Sequence, residues 1–181
     1  PQSQDRLIYE DSKNLQRFHS AGTSEDERYL FIDISDRGVG KDGNAILYQD
    51  LSDPKGQLKP LIADITDDHY SVVDDVNGKF LVETNKDAPR GRLVEIDPAT
   101  GQWKDIIPQG KDVLSGVSAA GHKLFAHYLQ DVSTHIKVFS LAGQLAVVGN
   151  DHDGGVRLLA NLLERLDDHQ PRLLIEIAGR L

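Results

Sequence analysis

Asp151, His152 and Asp153 stand side by side, a run of three residues of metal-ligand type. Two carboxylates and an imidazole could bind an ion, but three consecutive side chains cannot easily face one metal. An Asp just ahead of an apolar-periodic run has a simpler use, because its oxygens accept the free N–H groups of a helix start. The remaining histidines, His19, His69, His122, His127, His135 and His169, are scattered, with no partner at ligand spacing. Surface or hairpin positions are expected for them. Cysteine is absent, which rules out disulfides, thiolate metal sites and a cysteine nucleophile. No metal and no cofactor is expected.

The elements that must position these residues follow one repeated pattern. In Arg28 to Pro54 an apolar run (Tyr29 to Ile34) leads through a Gly/Asp-rich loop (Asp36 to Asn44) to a second apolar run (Ala45 to Leu51) and a Ser-Asp-Pro turn. Lys79 to Gly101 and Lys123 to Gly143 repeat it, with Ile46, Leu93 and Ile136 at matching places. Short strands between turn residues at a period of roughly 40–50 residues predict four-stranded propeller blades.

Around the three hairpins the reading adds further strands at Asp5 to Glu10, Phe18 to Gly22, Leu58 to Ala63, Tyr70 to Asp74, Trp103 to Ile107, Val113 to Ser118 and Gln144 to Val148. Turns are expected at Asp11 to Arg17, Thr23 to Glu27, Asn77-Gly78 and Ala120-Gly121. Asp50, Asp97 and Ser140 recur at one place in the units, where their side chains suit local turn bonding. Trp103, the single Trp, is expected in the core or between blades, and the acidic cluster Asp64, Asp67, Asp68, Asp74 and Asp75 on a solvated loop face.

The pattern changes after Gly149. Leu159, Leu162, Leu163 and Leu166 recur at helical spacing, so Val156 to Leu166 is expected as an amphipathic helix, followed by a buried strand at Arg172 to Ile177. The expected fold is therefore mainly β: a partial β-propeller of about three four-stranded blades over residues 1–149, then one helix and one strand of α/β character over 150–181.

A net charge of −9, spread along the sequence, disfavours nucleic acid and anionic membranes as partners. No run approaches the ~18 apolar residues of a membrane-spanning helix. The opening PQSQDRLIYEDSK has no basic or apolar region of a signal peptide, so a cytoplasmic protein is expected, with the periplasm as the alternative. Since the sequence contains no Met, it is expected to be a mature or excised piece of something longer.

The strings SQDRLIYED, SEDERYLFIDIS, ILYQDLSDP, ETNKDAPRGRLVEID, WKDIIP, KDVLSGVS and KLFAHYLQD, over about four fifths of the chain, resemble in order and spacing the β-propeller of the prolyl oligopeptidase family. Members are serine peptidases that cut short peptides after proline, and the resemblance implies a propeller that restricts which peptides reach an α/β-hydrolase active site. The tail extends the resemblance. Asp151-His152-Asp153 with Val156 is similar to the family's D-H-D-D-R-V loop, and RLLIEIAG to the strand before its catalytic histidine. By position, Asp153 would be the acidic member of a Ser-His-Asp triad.

Three departures limit what the chain can do. Gly155 stands where the family has a substrate-binding Arg, and Arg180 where it has the catalytic His. No G-x-S-x-G elbow for a nucleophilic Ser exists in the sequence. The leading expectation is part of a serine prolyl endopeptidase, inactive alone, with short proline-containing peptides as partners and exposed blade edges open to strand association. The alternative is a non-catalytic propeller-type module that binds a protein partner.

Overall fold

The computed structural model describes residues 5–36, 40–150 and 175–176 of the 181-residue chain. These residues form strands and turns, grouped in two compact units, Pro1–His69 and Tyr70–Leu181.

The first unit is one antiparallel sheet in the order β1 (Phe18–Thr23), β2 (Tyr29–Ser35), β3 (Asn44–Asp50), β4 (Lys59–Ile62). Chain order equals spatial order, as short connections between neighbouring strands produce. Ile32, Ile34 and Ala45 form its buried cluster, with Leu30, Leu47, Leu58 and Ile65 packed beside it. β1 is exposed along its whole length, and the Gly43 loop closes on the following connection through Gly43 N–H to Thr66 O at 2.9 Å.

The second unit holds two sheets. One is β5 (Tyr70–Val76), β6 (Lys79–Thr84), β7 (Arg92–Ile96) and β8 (Trp103–Ile107) in that order. The other is β9 (Val113–Ala120), β10 (Lys123–Gln130), β11 (Ser133–Ser140) and β12 (Leu145–Asn150), with the two-residue β13 (Ile175–Glu176) parallel to β12. One apolar cluster joins the sheets: Leu81, Leu93, Ile106 and Ile107 of the first meet Leu114, Leu124, Ala126, Tyr128 and Phe139 of the second. These three four-stranded antiparallel arrays are a partial β-propeller, as the repeat predicts.

Two-residue turns close the tight hairpins. Asn77 and Gly78 have φ of 54° and 79°, the left-handed pair that matches strand twist in a type I′ turn. In the third sheet the turn lies at Gly121-His122 (φ 52° and 57°), one residue beyond the expected Ala120-Gly121, because the ladder pairs Ala120 with Lys123. The β10–β11 hairpin turns at Asp131-Val132. There Val132, a β-branched residue 97% exposed, takes φ 63°. That conformation is costly for its side chain.

Other expectations require correction. Asp5 to Glu10 is not a strand: Leu7 and Ile8 are exposed, and Tyr9 is held by its side chain, edge-on to His19 at 5.4 Å. Trp103 is not in the core. The residue is 37% exposed, and its ring meets Tyr70 of the same sheet edge-on at 6.2 Å. The acidic cluster is only partly a solvated loop face: Asp64 and Asp67 are exposed, Asp67 pairing with Lys41 at 2.6 Å, whereas Asp68, Asp74 and Asp75 are half-buried and the last two lie in β5. The expected helix at Val156 to Leu166 lies outside the described residues, as does all of Arg172 to Ile177 except Ile175 and Glu176.

Candidate functional site

The distinctive strings of the sequence meet in the second unit, at the seam between its two sheets. After β6, the Thr84 hydroxyl accepts the Lys86 N–H at 3.0 Å, and Asn85 O accepts the Ala88 N–H at 2.9 Å. Ala88 O then accepts the Gly91 N–H at 2.8 Å, Asp87 takes φ 52°, and Ala88 is 1% exposed. The loop is thus a run of tight turns, bonded to itself and packed inward. It delivers Arg90 O to the Leu114 N–H at 2.8 Å, and Gln109 Oε1 accepts the Arg90 N–H at 2.8 Å.

Gly91 is required by this approach. At φ 80° a Cβ there would lie 3.0 Å from Leu114 O and 3.1 Å from Leu114 Cβ. ETNKDAPRGRL and KDVL, two strings apart in sequence, are therefore the two halves of one joint. Arg92 anchors the loop's return by donating from Nη1 to Asp105 Oδ1 at 3.0 Å. A second close approach involves WKDIIP: a Cβ on Gly143 (φ 81°) would fall 2.0 Å from Ile106 O.

A titratable side chain also crosses the seam. Glu83 Oε2 accepts the N–H of Val117 at 2.9 Å, a donor on β9, which lies at the edge of its sheet. Burial pushes the Glu83 carboxyl above its ordinary range, opposed by the hydrogen bond from Val117. In the first unit Asp33 is raised by burial in the same way, opposed by the hydrogen bond that the Asn44 amide donates to it.

The ladders relate these groups. Asp33 lies opposite Ile46, Glu83 opposite Leu93 and His127 opposite Ile136, the apolar residues that align the three repeats. One register position thus carries a half-buried polar or titratable side chain in every sheet. Sequence reasoning missed it, although aligning the second strands on the partners of Ile46, Leu93 and Ile136 would have exposed it.

The expected site residues divide into two groups. Asp153, Asp151, His152, Gly155 and Arg180 lie outside the described residues. Asp50, Asp97 and Ser140 do perform turn bonding: Asp50 Oδ1 accepts the Ser52 N–H at 2.9 Å, Asp97 Oδ1 the Ala99 N–H at 2.9 Å, and Ser140 Oγ the Gln144 N–H at 3.1 Å. Hydrogen bonding holds the Asp50 and Asp97 carboxyls below the usual range, for Asp50 chiefly from Ser52 and for Asp97 chiefly from the Ala99 N–H. Among the described residues no group of three or more His, Cys, Asp or Glu is placed to hold a metal, and no helix is long and apolar enough to cross a membrane. The seam bonds main-chain N–H groups to carbonyls and one carboxylate. Its chemistry is positioning.

Residues 1–169 match the family described as prolyl oligopeptidase, N-terminal β-propeller domain. A prolyl endopeptidase of Elizabethkingia meningoseptica is 31% identical over 147 residues, 80% of this chain and 20% of that protein. A solved structure from a study of two prolyl endopeptidases is 26% identical, with a TM-score of 0.67 over 75% of this chain and 20% of that one. Prolyl oligopeptidase B of Galerina marginata, bound to a 35mer hydrolysis and macrocyclization substrate, is 23% identical with a TM-score of 0.73 over 81% of this chain and 21% of that one, a likeness of fold. The chain spans about one fifth of the length of the curated relatives it matches. With its repeats folded as blades and its distinctive strings joined at one seam, the chain belongs to the prolyl oligopeptidase family, matching its N-terminal β-propeller domain.

Proposed function

We propose that this chain is the propeller part of a serine peptidase that cleaves short peptides after proline, with the propeller limiting which peptides reach the catalytic centre. The joint of Arg90 and Gly91 with Leu114 carries the reading, because it gives the family's own strings a structural task. Residues 1–149 form the propeller segment, and residues 150–181 correspond to the end of a hydrolase domain. In acyl transfer the Ser attacks the prolyl carbonyl, a His takes its proton, and an Asp orients that His, with no metal or cofactor. This chain contributes at most the Asp, Asp153. Proline-containing peptides are the partner class, in keeping with the peptide substrate of the Galerina relative.

The test uses a longer polypeptide in which this chain is joined to an elbow Ser and a catalytic His. Asp153→Ala should lower turnover of a blocked Gly-Pro reporter by about ten-thousandfold, with the far-UV circular dichroism unchanged. Turnover that survives the substitution would refute the role of Asp153 and leave the propeller assignment intact. Weakening the seam with Gly91→Val should raise the cleavage of long peptides relative to the short reporter. An unchanged ratio would refute the restricting role.

A further inference from the structure

Asn77-Gly78 is the single Asn-Gly pair in the sequence, and it forms the tip of the β5–β6 hairpin. Asn77 is exposed, and the ladder ends with Val76 opposite Lys79, so the two turn residues stand outside it. The Gly78 N–H is instead held by a side chain, donating to Asp75 Oδ2 at 3.3 Å. Glycine leaves its own backbone nitrogen open to approach, whereas Asn14, Asn44 and Asn85 precede Leu15, Ala45 and Lys86.

We propose that Asn77 is a gated deamidation site, closed while Asp75 holds the Gly78 N–H in the type I′ turn and reactive when the hairpin tip opens. In the reaction the Gly78 nitrogen loses its proton to solvent base and forms a bond to Asn77 Cγ. Solvent gives a proton to Asn77 Nδ2, the Cγ–Nδ2 bond breaks and ammonia leaves. Water then opens the succinimide to aspartate or isoaspartate. The left-handed backbone of Asn77 (φ 54°) and the bond to Asp75 together hold the nucleophilic nitrogen in the turn well, so attack requires rotation out of it.

Reaction has a structural consequence. Isoaspartate inserts one more carbon into the backbone of a two-residue turn, and either product adds a negative charge beside Asp74 and Asp75. Both changes loosen the hairpin that carries β5, so the modification, once made, keeps the tip open. The inference is independent of the peptidase reading.

Peptide mapping by mass spectrometry, with isoaspartyl methyl-acceptor labelling, tests it on the 181-residue chain at mildly alkaline pH. Asn77 should convert slowly in the native chain and much faster in urea, where it should outpace every other Asn. Asp75→Ala should speed native conversion about tenfold, the scale of one lost hydrogen bond, while leaving the urea rate unchanged. Equal native and urea rates in the unsubstituted chain would overturn the gate, and an unaltered native rate in Asp75→Ala would overturn the part played by Asp75. The first comparison needs no variant, so it decides the gate even if Asp75→Ala fails to fold.

Discussion

Removing the Glu83 carboxylate tests how the second and third sheets are held, because it crosses their seam to a main-chain donor. Glu83→Ala leaves the Val117 N–H at the seam without its acceptor, a loss of about 1–3 kcal/mol. Glu83→Gln keeps a carbonyl oxygen for that N–H and removes the buried charge, so its cost should stay below about 1 kcal/mol. The pH dependence separates the two effects. Burial raises the folded carboxyl above its unfolded value, so the folded chain binds this proton more tightly. The stability contributed by Glu83 is therefore full below the ordinary glutamate range and is lost as pH rises through the raised value. Urea unfolding of the three proteins from about pH 4 to about pH 7 reads this directly. Relative to Glu83→Gln, the unsubstituted chain should lose stability as pH rises across that window. A Gln variant as weak as Ala, with a pH profile parallel to the unsubstituted chain, would refute both the hydrogen-bond account and the burial account.

Three further substitutions follow from the backbone. Gly91→Ala places a Cβ against Leu114 at a left-handed φ, and should cost about 1–3 kcal/mol in urea unfolding. Gly143→Ala is harsher, because the Cβ would fall 2.0 Å from Ile106 O and the turn or β8 must shift. It should lower the thermal midpoint more than Gly91→Ala does. Val132→Gly relieves a β-branched side chain at positive φ on an exposed tip and should raise the midpoint, corresponding to roughly 1 kcal/mol of stability.

The blades were legible because their signals are local. Alternating apolar runs, an Asn-Gly turn and Asp50, Asp97 and Ser140 at fixed places each act within a few residues, and the ladders follow them. The bounds of Trp103–Ile107 agree residue for residue, since Pro108 stops that strand. Asp5 to Glu10 looked like a strand from its composition, but pairing requires a neighbour that composition does not supply. The turn at Gly121-His122 slipped by one residue because register across β9 and β10, and not the Gly alone, sets a hairpin tip.

The seam was legible only as strings. That ETNKDAPRGRL and KDVL touch could not be read from either, since the contact depends on a loop folding back through two successive backbone turns, Asn85 to Ala88 and Ala88 to Gly91. Glu83 escaped notice for a similar reason. A lone glutamate within a strand resembles a solvent-facing residue until the next sheet places an N–H against it. Asp153 is a different case, reached through resemblance alone and lying outside the described residues.

The central claim is that this chain supplies propeller structure while the peptidase chemistry requires a Ser and a His from elsewhere. The most direct measurement is turnover of a blocked Gly-Pro reporter by the 181-residue chain, run alongside labelling with a serine-directed fluorophosphonate. The account predicts neither reporter release nor labelling at any of its serines. Release of the reporter together with fluorophosphonate attached to one serine would contradict it.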